Sequence, residues 1–228
     1  MTTAYDEILR RLRQQADPAA VAGMAHYGIV GQEVFGVKVP VLRALAKEFG
    51  RDHALAGQLW AYPSRETRVL ATMIDHWRWV DEAQMARWAA DFDSWEICDQ
   101  ACGNLFAYTP YAYAKAMEWS ARPEEFVKRA AFVLMADLAH RDQKTTDAAL
   151  AAFLPVIERE AGDGRNFVKK AVNWALRDIG KRNPALNAQA IATAERLIAR
   201  PEPPARWNGR DALRELTSKK VQAMLLKR

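Results

Sequence analysis

The stretch Arg165-Asn166-Phe167-Val168-Lys169-Lys170-Ala171-Val172-Asn173-Trp174-Ala175-Leu176-Arg177 decides the fold class of this chain. Phe167, Val168, Ala171, Val172 and Ala175, with Ile179 beyond, recur at the interval of an amphipathic α-helix and supply one apolar side. Lys170, Trp174 and Arg177 fall at i, i+4 and i+7, a basic stripe around an indole. Gly180 reads as the helix stop.

The same period runs nearly everywhere else. Strand-like alternation is confined to a short Val-rich piece around Val34 to Val41, which Pro40 interrupts. Pro63-Ser64 opens an amphipathic run through Val80, and Asp81, then Asp93 or Ser94, suit the N-caps of the next two helices. Pro110 and Pro123 fit first-turn positions, the latter ahead of Glu124 and Glu125, and Gly50 is a second stop. About fourteen helices result, at roughly 3–16, 18–26, 39–49, 52–60, 64–79, 81–91, 94–108, 110–120, 123–140, 144–160, 165–181, 185–200, 207–216 and 218–226. Short connections force neighbours into antiparallel pairs, and many such pairs in a row point to an all-α solenoid. Pair starts near 64, 93, 123 and 165 are uneven and share no motif, so a compact helical bundle is the alternative. Pro201-Glu202-Pro203-Pro204 is the one linker-like stretch and is too short to separate domains, so residues 1–228 read as one domain.

The chain has 228 residues, 50% hydrophobic and 27% charged, an ordinary globular balance that excludes disordered and collagen-like classes. No apolar run is long enough for a membrane span, and Met1 to Arg13 carries Asp6 and Glu7 with no apolar signal core, so a cytoplasmic location is expected. Cys98 and Cys102 are four apart with no His nearby, which suits two buried thiols in a reducing compartment better than a redox or zinc pair. His26, His53, His76 and His140 are scattered without ligand spacing, and no phosphate loop, dinucleotide fingerprint or nucleophile elbow is present, so neither a metal nor a cofactor is expected.

The net charge of +5 is unevenly spread. Residues 1–120 hold 12 Lys/Arg and 15 Asp/Glu, a net of −3, and residues 121–228 hold 21 and 13, a net of +8. That asymmetry suits a polyanion along one stretch of surface, and solvated helix faces are the plainer account. Three segments could carry chemistry. In Ser94-Trp95-Glu96-Ile97-Cys98-Asp99, Trp95 and Asp99 share a helix face one turn apart. They form either a core Trp with an Arg-paired Asp, or a carboxylate beside an aromatic wall suited to developing positive charge. The basic stripe of Lys170, Trp174 and Arg177 suits phosphate and base contact, or is a solvated face with a half-buried Trp. Lys128 and Arg129 precede an apolar run, where an Arg serves as ion-pair partner or phosphate fork. A basic tail follows with Arg206, Arg210, Arg214, Lys219 and Lys220.

Four blocks in order carry a likeness: Phe35-Gly36-Val37 through Pro40 and Arg43; Ser94 to Asp99; Val127-Lys128-Arg129-Ala130-Ala131; and Phe167 to Arg177. Together they resemble the AlkD-like family of DNA alkylation repair proteins. The resemblance implies a superhelix of HEAT-like repeats and a DNA glycosylase that removes bases alkylated on a purine ring nitrogen. It places the important residues on Trp95, Asp99, Arg129 and Trp174, with Tyr27 where the family often has an N-terminal aromatic. Lys128, Lys169, Lys170, Arg177, Arg206 and Arg210 are the accompanying DNA-binding candidates. Some family members bind DNA with little or no excision. The expectation is therefore a glycosylase acting on alkylated double-stranded DNA, most simply as a monomer. A non-catalytic, structure-selective DNA-binding protein and a peptide-binding solenoid are the alternatives.

An alkylated purine already carries positive charge, so its bond to the sugar is weakened and no strong general acid is required. The protein must stabilise an oxocarbenium-like sugar and position water. The expected assignment gives Asp99 the charge stabilisation, Trp95 and Trp174 the ring faces toward lesion or sugar, and Arg129 a nearby phosphate.

Overall fold

A computed structural model of the chain describes residues 3–227, in which fifteen α-helices and one 3-10 turn form and no strand does. The chain divides into two compact units, 1–109 and 110–228. The first holds α1 (Ala4–Gln14), α2 (Pro18–His26), α3 (Val39–Phe49), α4 (His53–Ala61), α5 (Arg65–Ile74), α6 (Glu82–Ala90), α7 (Trp95–Asn104) and the 3-10 turn Phe106–Tyr108. The second holds α8 (Ala112–Ser120), α9 (Glu125–Arg141), α10 (Asp147–Ala151), α11 (Leu154–Glu160), α12 (Asn166–Gly180), α13 (Pro184–Ile198), α14 (Pro203–Leu216) and α15 (Lys219–Leu225). No helix of the described residues is long and apolar enough to cross a membrane.

Inside each unit, alternate helices line up in the same direction. Arg65 and Glu96 join the starts of α5 and α7, while Asn104 Nδ2 donates to Thr72 Oγ1 near their ends. Arg129 Nη1 donates to the Phe167 carbonyl at the starts of α9 and α12, and Arg182 reaches the Asp142 carbonyl past their ends. Lys169 meets Trp207 and Arg177 meets Glu215, so α14 runs alongside α12 in the same sense. Four of the row helices also pack against the one before them in the chain: α4 on α5, α8 on α9, α11 on α12 and α13 on α14. Repetition of such pairs is what buries a core that no single pair could bury alone. In α9 every residue from Arg129 to Ala139 is buried, which explains its apolar run.

Several boundaries differ from the sequence expectation for identifiable reasons. The 144–160 segment is two helices, because Pro155 opens the first turn of α11 where its missing N–H costs no hydrogen bond. The same rule turns the supposed linker prolines, Pro203 and Pro204, into the first turn of α14. Ser94, not Asp93, caps α7, its Oγ accepting from Ile97 N, and Asp81 caps α6 as expected. Pro110 and Pro123 sit just before the caps of α8 and α9 rather than inside the first turns. Gly180 lies within the last turn of α12, and its reason is proximity: a Cβ there would lie 2.7 Å from Leu216 Cδ2 and 2.8 Å from Ala190 Cβ.

The Val34 to Val41 piece forms no strand. It is an extended segment preceded by a single bridge between Glu33 and Ser64 and held by Glu66 through the N–H groups of Phe35, Gly36 and Val37, and Pro40 lies in the first turn of α3. Gly36 within it has φ of +82°, and a Cβ would collide with the Asp17 carbonyl. Gly36→Ala is therefore expected to destabilise the fold by about 1–3 kcal/mol through backbone strain. Urea unfolding would show this as a lowered midpoint with an unchanged slope.

Candidate nucleic-acid interface

In the first unit the candidate residues sit on the opening turns of α7. Trp95 is the first helical residue, half-buried, and its Nε1–H donates to the Tyr27 carbonyl at 2.9 Å. The ring is thereby oriented by the end of α2. Asp99 lies one turn further along, also half-buried. Tyr27 itself is 71% exposed, its ring edge-on to His26 at 5.2 Å. Cys98 and Cys102 are both buried and neither is in a disulfide.

Beneath this turn lies a polar cluster that the sequence did not flag. Glu66 is fully buried, and its carboxylate accepts the backbone N–H groups of Phe35, Gly36 and Val37 at 2.9, 2.9 and 3.1 Å. Arg65, 2% exposed, donates to Glu66 at 3.0 Å and grips both oxygens of Glu96 at 2.7 and 2.6 Å. Burial works against the Arg65 charge, yet Glu96 and Glu66 hold its proton more firmly than usual. The signal available was two adjacent opposite charges, Arg65 and Glu66, just ahead of the apolar Val69, Leu70 and Ala71. Nearby, burial pushes the Asp93 carboxyl up despite the Arg68 guanidinium at 3.2 Å.

In the second unit, Arg129 is 6% exposed with Nη1 2.6 Å from the Phe167 carbonyl, so it ties α9 to α12. Lys128 pairs with Glu160 at 2.7 Å and approaches Asp163 at 3.8 Å. Burial raises both of these carboxyls, but the cations around them outweigh it and keep them ionised below the usual range. Arg177 pairs with Glu215, as does Lys181 at 3.0 Å, with the same net lowering at Glu215. Arg206 turns back onto the Arg200 and Pro201 carbonyls at the end of α13. Trp174 is half-buried and donates through Nε1 to Asp178 at 2.8 Å.

The remaining candidates face outward. Lys170 and Arg210 are exposed, and Lys169 carries its ammonium 4.7 Å from the centroid of Trp207. Among the described residues none of these three has a carboxylate partner, whereas Lys128, Arg165, Arg177, Arg196 and Arg200 all do. Trp207, 40% exposed, is the aromatic that sequence reasoning missed. Its position beside Arg206 and Arg210 was the only cue.

A family model described as DNA alkylation repair enzyme matches residues 8–216. No curated protein matches the chain. One solved structure, described as "A new family of proteins related to the HEAT-like repeat DNA glycosylases with affinity for branched DNA structures", matches with a TM-score of 0.75 at 18% identity. The match covers 84% of this chain and 82% of the other. That likeness shows the fold: all-helical and HEAT-like.

Proposed function

The chain belongs to the DNA alkylation repair enzyme family, and from that premise we propose that it excises cationic N-alkylated purines from double-stranded DNA by hydrolysing the N-glycosidic bond. The observation that carries the reading is the pairing on α7 of a half-buried carboxylate, Asp99, with an indole, Trp95, whose ring is fixed through the Tyr27 carbonyl. A carboxylate beside an aromatic face suits a reaction in which positive charge moves from base to sugar. The cationic base leaves as a neutral purine and takes the bonding electron pair with it. Water adds to the sugar and releases its proton to solvent.

The neighbouring groups have supporting assignments. In the second unit Trp174 offers a ring face to the DNA, held by Asp178, and Arg129, buried and bonded to the Phe167 carbonyl, serves that face by tying α9 to α12, with any phosphate contact secondary. Lys169, Lys170 and Arg210, free of carboxylates, supply the contacts that attract the duplex. Lys128, Arg177 and Arg206 are already engaged with Glu160, Glu215 and main-chain carbonyls, so their share in DNA binding is secondary. A monomeric, cytoplasmic protein without cofactor belongs to this same reading.

The test is release of free base from duplex DNA bearing a methylated cationic purine, together with binding measured against salt. Excision is expected, with affinity falling steeply between about 50 and 200 mM salt. Binding without release would favour the second reading, a structure-selective DNA-binding protein, to which the solved relative's described affinity for branched DNA lends support. A flat salt response would overturn both.

A further inference from the structure

We infer that Trp207 and Lys169 form a stacking platform for an unpaired nucleobase, so that the α12–α14 face receives DNA where duplex meets single strand. The inference rests on the DNA-binding reading above and adds to it a partner class and a residue.

Three observations converge. First, Trp207 is a large apolar side chain left 40% exposed on a helix whose Ala205, Ala212 and Leu216 are buried. Second, its place is rigidly set. The adjacent Asn208 is fully buried, its carbonyl accepts from Asn173 Nδ2 at 3.2 Å, and its own Nδ2 donates to the Ala161 carbonyl at 3.3 Å. Gly209 follows, where a Cβ would lie 2.5 Å from the Ala194 carbonyl, so α14 is seated tightly on α13. A ring carried on so constrained a backbone loses little freedom when something stacks on it.

Third, the charge around it is unspent. Lys128, Arg165, Arg177 and Arg196 of the second unit are spent in ion pairs, whereas Lys169 against this ring, and Lys170 and Arg210 on the same two helices, have no carboxylate among the described residues. The ammonium of Lys169 lies 4.7 Å from the ring centroid, a cation–π contact that is exchangeable at an exposed site. Base stacking on an indole is the stronger contact. A base arriving at Trp207 displaces Lys169, which then meets the phosphate that arrives with it. Paired bases in a continuous helix keep both faces covered by neighbours, so the platform selects a base that has lost one.

The experiment compares wild type, Trp207→Ala and Trp207→Phe on two DNAs of equal duplex length. One is fully paired and the other carries a short single-stranded flap with 2-aminopurine at its first unpaired position. The expected result is tighter binding of flapped DNA by the wild type, with 2-aminopurine emission quenched on binding. Trp207→Ala is expected to lose about tenfold on flapped DNA, to abolish the quench and to bind paired DNA within about twofold of wild type. Trp207→Phe is expected to recover most of both signals. Equal losses on the two DNAs, or a quench that survives Trp207→Ala, would overturn the platform. Base release from paired DNA, measured in parallel with wild type, reports on the excision reading alone, so the two proposals fail separately.

Discussion

Asp99→Asn is expected to slow release of a cationic methylated purine by about 10²–10³-fold, the usual loss when one preorganised electrostatic group is removed. Duplex affinity is expected to stay within about threefold. Asparagine keeps the size of the side chain and one of its oxygens, so α7 and the Trp95–Tyr27 contact should persist. What is lost is a negative charge, and its largest contribution comes as positive charge passes from the base to the sugar. In the ground state the same charge opposes the approach of phosphates, so its removal cannot weaken binding through electrostatics. A single-turnover assay with saturating enzyme isolates the chemical step, and a titration with undamaged duplex isolates binding. Equal losses in the two measurements would remove Asp99 from the catalytic role. Trp95→Ala is a weaker test, because it also releases the Tyr27 carbonyl.

The helical class was legible because its signal is local. The apolar period of Phe167 to Ile179 depends only on which side of α12 faces the core, and that side is buried as expected except for the half-buried Phe167. N-caps such as Asp81 and Ser94 were legible for the same reason. The pairing of charges was not, since it depends on which helices become neighbours. Lys128 and Arg177 look like solvent-facing cations in sequence, yet Glu160 and Glu215 meet them from 32 and 38 residues away. Lys170 and Arg210 look no different and have no carboxylate partner among the described residues. Trp207 was hidden likewise: one Trp among eight gives no hint of exposure until α13 and α14 are packed. The Phe35-Gly36-Val37 block stood out as a motif, but its reason became visible only with Glu66, 30 residues on from Gly36, beneath it.

That carboxylate is the basis of the second large effect. Glu66→Ala is expected to destabilise the protein by about 3–5 kcal/mol, the usual cost of removing one member of a buried charged cluster. For a chain of this size the loss corresponds to a fall in melting temperature of roughly 6–20 °C. Three backbone N–H groups, from Phe35, Gly36 and Val37, would lose their acceptor. Arg65 would keep Glu96 and the Val37 carbonyl but lose its second carboxylate in a site where it is 2% exposed. Glu66→Gln should fall between wild type and alanine, because one amide oxygen remains to accept while the charge is gone. Combined with Gly36→Ala, the loss should be less than the sum of the two, since both changes release the same extended segment and it can be freed only once. Strict additivity in differential scanning calorimetry would mean that Glu66 stabilises α5 alone. The shared loss identifies it instead as the clamp that fixes residues 35–37 and, through Arg65 and Glu96, the turn of α7 on which Trp95 stands.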